Sequence, residues 1–315
     1  MNATANPPPV VPALPPRDAE SEVEPTAAPR PWRATAGAVF YVFLWASAFV
    51  PSRVIATSAP PFWLLSVRFV IAGGLLLAFA RAAGMRWPRD ARTWGFAAAY
   101  GVLANAMSLG LNYAALRHLS SGMGAIIAST NPLLLAVLAP FLLRERLSAG
   151  KAIGLSLGFL GVLVAMQARA ASSTARPTDV LLAATGVLAQ VLATILFKRE
   201  RTSTHPLVVN AISLVVAGLA TLPFAAVIEG APHVALTPPV VVSFAYVVVA
   251  LSIGATLLWF WLLKHGEASR VSAFYFLTPL FGVAAGALLL GERLFALDGI
   301  GLLVVVAGIT LATRK

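Results

Sequence analysis

Arg68 is the one charged residue well inside any of the long apolar stretches of this 315-residue chain. A guanidinium at membrane depth is costly and needs a reason. It either offers a cation to an anionic group such as a carboxylate or phosphate, or it snorkels outward or pairs with backbone carbonyls and locks helices together. Other polar residues fall into stripes. Asn105, Ser108 and Asn112 recur at i, i+3 and i+7; Ser252, Thr256 and Trp259 at i, i+4 and i+7; Gln190 and Thr194 at i, i+4. On α-helices each set shares a face. One such face alone reads as interhelical glue, whereas three turned inward together make a polar cavity. Trp45, Trp259 and Tyr275 would supply its apolar wall. Pro132 and Pro279 lie mid-stretch behind Asn131 and Thr278, and a proline there frees the carbonyls of Ala128 and Tyr275. Those positions suit either a hinge beside a site or a fixed kink. The substrate-contacting set expected is therefore Trp45, Arg68, Asn105, Asn112, Asn131, Gln190, Thr256, Trp259, Tyr275 and Thr278.

Other chemistries find no support. Without cysteine there is no thiol nucleophile, disulfide framework or cysteine-ligated zinc. His118, His205, His233 and His265 show no metal-ligand spacing, and no GxxxxGK[ST] phosphate loop occurs. The Asp and Glu residues all lie in the tail, in loops or at helix ends, so no span offers a carboxylate relay. A membrane-embedded enzyme would need clustered carboxylates or histidines, which are missing. No catalytic residue, metal or cofactor is expected.

The elements that must position these residues are membrane helices. Hydrophobic residues make up 59% and charged residues 11%, far from the quarter charged of a soluble domain. Ten apolar segments follow one another, at 35–56, 61–80, 92–114, 121–143, 150–168, 178–197, 207–228, 239–262, 270–290 and 297–313. Lipid offers no partner to an open sheet edge, so they are helices. Residues 1–33, rich in proline and mixed charges, read as a disordered cytoplasmic tail. The net charge of +11 is dispersed among short loops, which fits anionic lipid as a partner and not nucleic acid. Lys and Arg collect in every second connection, which puts both termini in the cytoplasm.

The chain also repeats itself. Shifted by 147 positions, the stretch 112–165 falls on 259–312 without a gap. Leu142 to Ala149 (LLRERLSA) meets Leu289 to Ala296 (LLGERLFA), Ile153-Gly154-Leu155 meets Ile300-Gly301-Leu302, and Pro132 meets Pro279. The halves are expected at 34–170 and 177–315. Five helices per half is an odd number, so the second half enters the membrane inverted, the arrangement of secondary transporters.

Trp45-Ala-Ser-Ala-Phe49, Pro61-Phe-Trp-Leu-Leu-Ser-Val-Arg68-Phe, and the doubled Pro132/Glu145-Arg146-Leu147 and Pro279/Glu292-Arg293-Leu294 resemble the EamA-type members of the drug/metabolite transporter superfamily. The resemblance covers residues 35–313, with Ala46 in place of the usual glycine. It implies an all-α inner-membrane permease of ten helices, often an exporter of amino acids, and recurrent positions at Trp45, Arg68, Pro132 and Pro279. The Glu-Arg-Leu turns read as a helix cap plus a loop anchor. Drug or other metabolite efflux by the same fold is the nearest alternative, and a non-transporting scaffold or sensor the more distant one. A monomer or homodimer is expected, with a small-molecule substrate.

Overall fold

The computed structural model describes residues 31–143, 149–170, 175–200, 204–232, 234–264 and 278–313, and everything regular among them is helical. The order is α1 (Pro31–Ser47), α2 (Phe49–Ser58), α3 (Pro61–Ala82), α4 (Ala91–Tyr100), a π-helical segment Gly101–Met107, α5 (Ser108–Leu116), α6 (Ser121–Ala128) and α7 (Asn131–Leu143). Then come α8 (Ala149–Ala170), α9 (Pro177–Arg199), α10 (Pro206–Phe224) with a short π turn Ala225–Glu229, and α11 (Pro238–Tyr246). A second long π segment, Val247–Ala255, leads into α12 (Thr256–Lys264), followed by α13 (Thr278–Leu290) and α14 (Ala296–Thr313). The helix starts are written locally. Pro61, Pro177, Pro206 and Pro238 each occupy a first-turn position, where the missing N–H costs nothing. The Asp90 and Ser120 side chains accept from the Thr93 and Met123 amides.

Among the described residues, six continuous helical runs are long and apolar enough to cross a membrane: Ala36–Ser58, Pro61–Ala82, Ala91–Leu116, Pro177–Arg199, Pro206–Glu229 and Pro238–Trp259. At about 1.5 Å per residue, the shortest of these reaches about 33 Å, enough for a hydrocarbon core of about 30 Å. The outer surface agrees: Phe141 is 78% and Leu303 73% exposed, which suits lipid and not water.

Two helix pairs hold the halves together through glycine. A Cβ on Gly73 (α3) would lie 2.9 Å from the Ala211 carbonyl of α10, and one on Gly218 (α10) 2.9 Å from the Ser66 carbonyl of α3. Likewise a Cβ on Gly161 (α8) would lie 2.6 Å from the Gly301 carbonyl, and one on Gly308 (α14) 2.6 Å from that of Gly154. In each pair, a step forward along one helix is a step backward along its partner, so equivalent helices of the two halves cross antiparallel. With no hydrophobic driving force between helices in lipid, such close backbone approach is what makes them associate.

Several boundaries differ from the sequence reading. Residues 31–33, inside the stretch assigned to the tail, are helical; residues 1–30 lie outside the described residues. The segment 121–143 is broken at Ser129-Thr130, so Pro132 stands second in α7 and not in the interior of one helix. Pro132 therefore does not interrupt a helix; it stands in the first turn of one, where a missing N–H costs no bond. Pro279 lies in α13, and the residues before Thr278 lie outside the described ones. Tyr275, Glu145 and the remainder of 265–277 lie outside the described residues.

Candidate functional site

Arg68 lies seven residues along α3, about 10 Å from its start, and only 7% of it is exposed. Its Nε donates to Ser252 Oγ at 2.9 Å and one terminal nitrogen donates to the Tyr113 hydroxyl at 3.2 Å. Ser52 Oγ donates to the same Tyr113 oxygen at 3.1 Å. Ser252 in turn donates to the Val247 carbonyl, five residues back, at 3.0 Å. That i−5 spacing belongs to the π segment, whose wide turn leaves a carbonyl to spare. Four elements from both halves, α2, α3, α5 and the second π segment, thus converge on one guanidinium. Among the described residues its hydrogen-bond partners are neutral hydroxyls, and the guanidinium also lies 5.5 Å from the centre of the Phe69 ring.

The described carboxylates are engaged elsewhere. Asp90 accepts from Thr93 and Asp298 from the Phe295 amide. Asp179 takes the Arg176 amide and lies 3.2 Å from His118. Glu200 meets Arg92 at 3.3 Å.

Glu229 and Glu292 do something the sequence did not disclose. The Glu229 carboxylate accepts from the Phe62 and Trp63 amides, both at 3.1 Å, at the open end of α3, and meets Arg117 at 3.3 Å. Glu292 accepts from Ser121 at 2.6 Å and Gly122 at 3.0 Å at the open end of α6, and faces Arg53 at 3.7 Å. Each carboxylate belongs to the second half and caps a helix of the first, where backbone N–H groups and helix dipole both favour an anion. Gly291, at φ +64°, turns the chain sharply enough for Glu292 to point back at α6. Both latches sit at the same end of the bundle, where α2 ends and α3 and α6 begin. A cap at Glu292 was legible; its crossing to the other half was not.

The remaining expected residues are scattered around this centre. Asn105 lies in the first π segment, and its buried Nδ2 has no hydrogen-bond partner among the described residues. Asn112 donates to the Ser108 carbonyl at 2.7 Å and is pressed against Gly186 of α9, so it sits at a helix crossing. Gln190 is half-buried on α9, where Thr194 donates to its backbone carbonyl at 2.9 Å. Trp259 stacks on Tyr41 with ring centroids 5.3 Å apart. Trp45 is 39% exposed, and Thr256, first in α12, is half-buried. Asn131 opens α7 and Thr278 is the first described residue of α13; the buried Thr278 hydroxyl has no described partner.

The stripes on α4–α5 and α11–α12 need correcting in phase. The sequence reading sets both on an α period, but each runs through a π segment, whose i→i+5 turn rotates Asn105 and Ser252 away from the α-helical register. Ser252 therefore turns to Arg68 while Trp259 turns to Tyr41. Moving Gly101–Met107 by 147 positions places it inside Val247–Ala255, with Asn105 on Ser252.

Known proteins agree with this architecture. The chain is 28% identical over 276 residues to "Uncharacterized transporter YvbV" of Bacillus subtilis, covering 88% of this chain and 90% of that protein. It is 26% identical over 284 residues to "Probable amino-acid metabolite efflux pump" of Salmonella typhimurium, covering 86% and 92%. A protein of known crystal structure shares the fold at a TM-score of 0.61 and 20% identity, over 89% of this chain and 97% of its own. The EamA-like transporter family matches twice, at residues 32–167 and 178–314. A multi-pass membrane protein built from two such matches, one in each half, belongs to the EamA-like transporter family of the drug/metabolite transporter superfamily.

Proposed function

We propose that the chain is a secondary carrier of small metabolites, amino acids or related compounds, working by alternating access in the inner membrane. In this reading ten transmembrane helices form two inverted five-helix repeats, 34–170 and 177–315, with both termini cytoplasmic. The observation that carries it is the reciprocal antiparallel crossing of α3 with α10 and of α8 with α14, together with a centre fed by both halves. Two equivalent, oppositely oriented units can rock about such a centre and expose it to either side. The Glu229 and Glu292 latches then close the extracytoplasmic end. The substrate class takes support from the efflux pump named above. Asn105, Asn131, Gln190, Thr256, Trp259 and Thr278 line the path beside Arg68.

Counterflow in proteoliposomes tests this. Vesicles loaded in turn with amino acids, small organic cations and sugars are expected to show saturable exchange of one class. No exchange above empty vesicles, from folded protein across the whole panel, would refute the carrier reading.

A further inference from the structure

The geometry points to Arg68, Tyr113 and Ser252 as an anion-binding centre, and to substrates that carry one carboxylate. This rests on the carrier reading and deepens it. Arg68 is buried, yet no described carboxylate reaches it, and the six that are described each cap a helix or pair with another side chain. An uncompensated buried charge is unfavourable, and membrane proteins retain one where a ligand or a partner neutralises it.

Hydrogen-bond bookkeeping makes the same point. A guanidinium has five N–H donors, and among the described residues two are engaged, with Ser252 and Tyr113. Each hydroxyl is arranged to accept from Arg68. Ser252 spends its own proton on the Val247 carbonyl, and Tyr113 accepts a second bond from Ser52, which directs its phenolic proton elsewhere. The unspent capacity is therefore all donor: three N–H groups and one phenolic O–H. That set suits the oxygens of a carboxylate, which is acceptor-only when ionised. Holding Nε on Ser252 also fixes the guanidinium plane, which a lysine cannot reproduce. Tyr113 and Ser252 are positioning residues in this scheme, with Tyr113 also donating to the bound anion.

The test pairs stability with exchange. If Arg68 awaits an anion, Arg68→Gln in purified protein without substrate melts at or above the wild-type temperature, because a buried charge has gone. If Arg68 is helix glue, the variant melts lower, and that result overturns the inference. In proteoliposomes, alanine and phenylalanine are each compared with their carboxamides. Wild type is expected to prefer the carboxylates, and Arg68→Gln to lose roughly 10- to 100-fold in affinity for them, the range of a charge-assisted hydrogen bond. Tyr113→Phe and Ser252→Ala should raise KM severalfold while keeping the carboxylate preference. Exchange of cations or sugars without carboxylates would leave the carrier intact and overturn the anion centre. Equal competition by chloride, phosphate and carboxylates would make it an inorganic anion site and overturn the substrate assignment. Should no solute exchange, the melting comparison still decides.

Discussion

Glu292→Gln should unlatch the end of the bundle at which α6 begins. Both Glu292 oxygens accept backbone N–H groups, at 2.6 and 3.0 Å, and a Cβ on Gly286 would lie 2.7 Å from one of them. The side chain is 10% exposed, so these bonds are shielded from water. Bonds to an ionised acceptor contribute about 1.5–3 kcal/mol each, and glutamine can accept only one of the two while presenting an N–H to the other donor. The Arg53 pair, 3.7 Å long with Arg53 28% exposed, adds under about 1 kcal/mol. The closed state should therefore lose about 2–4 kcal/mol, less whatever water returns to the α6 amides on opening. At about 1.4 kcal/mol per decade, opening becomes at least roughly tenfold more frequent. The absence of native cysteine makes the assay direct. Ser129, buried at 6%, lies about 12 Å down α6 from the latch. In a Ser129→Cys background, a membrane-impermeant maleimide applied from the side of the latch should label at least tenfold faster once Glu292→Gln is added. An unchanged rate in folded protein would show that the cap is local helix chemistry and closes nothing.

Gly73→Ala should destabilise the α3–α10 crossing by about 1–3 kcal/mol, because its Cβ meets backbone at 2.9 Å that cannot swing aside; a lowered melting temperature in lipid nanodiscs checks it, against Gly74→Ala, which meets nothing within 4 Å. At Asp90, hydrogen bonds from the Thr93 hydroxyl and amide hold the carboxyl below its ordinary range. Its depressed folded value means the cap contributes fully above the unfolded pKa and is lost as pH falls through the folded one. Amide exchange at Thr93 and Trp94 should thus accelerate, relative to the rest of the chain, only in strong acid. In Asp90→Ala the same acceleration should be present at neutral pH, and equal protection in both proteins would count against the cap.

Much of the fold was legible in the chain. Apolar runs of about twenty residues fixed the helices, because lipid leaves the backbone no other way to satisfy itself. The shift of 147 residues announced two equivalent halves, and the glycines it aligned, 154 with 301 and 161 with 308, are those at the α8–α14 crossing. Arg68 stood out because an isolated charge in such a run is rare. What covered Arg68 was not legible. Tyr113 and Ser52 are ordinary residues in their own spans, and they matter only because α5 and α2 bring their hydroxyls together. The π segments escaped as well, since an added residue in a turn leaves no compositional trace, yet it decides which way Asn105 and Ser252 point. Pro132 carried a clear local signal whose meaning depended on where its helix began. Local periodicity and burial energy thus set the helices, their number of turns and their duplication. The partners of Arg68 and the reach of Glu229 and Glu292 across the halves came only from tertiary structure, because hydrogen bonds between residues 45 to 184 positions apart depend on helix crossings that no single stretch encodes.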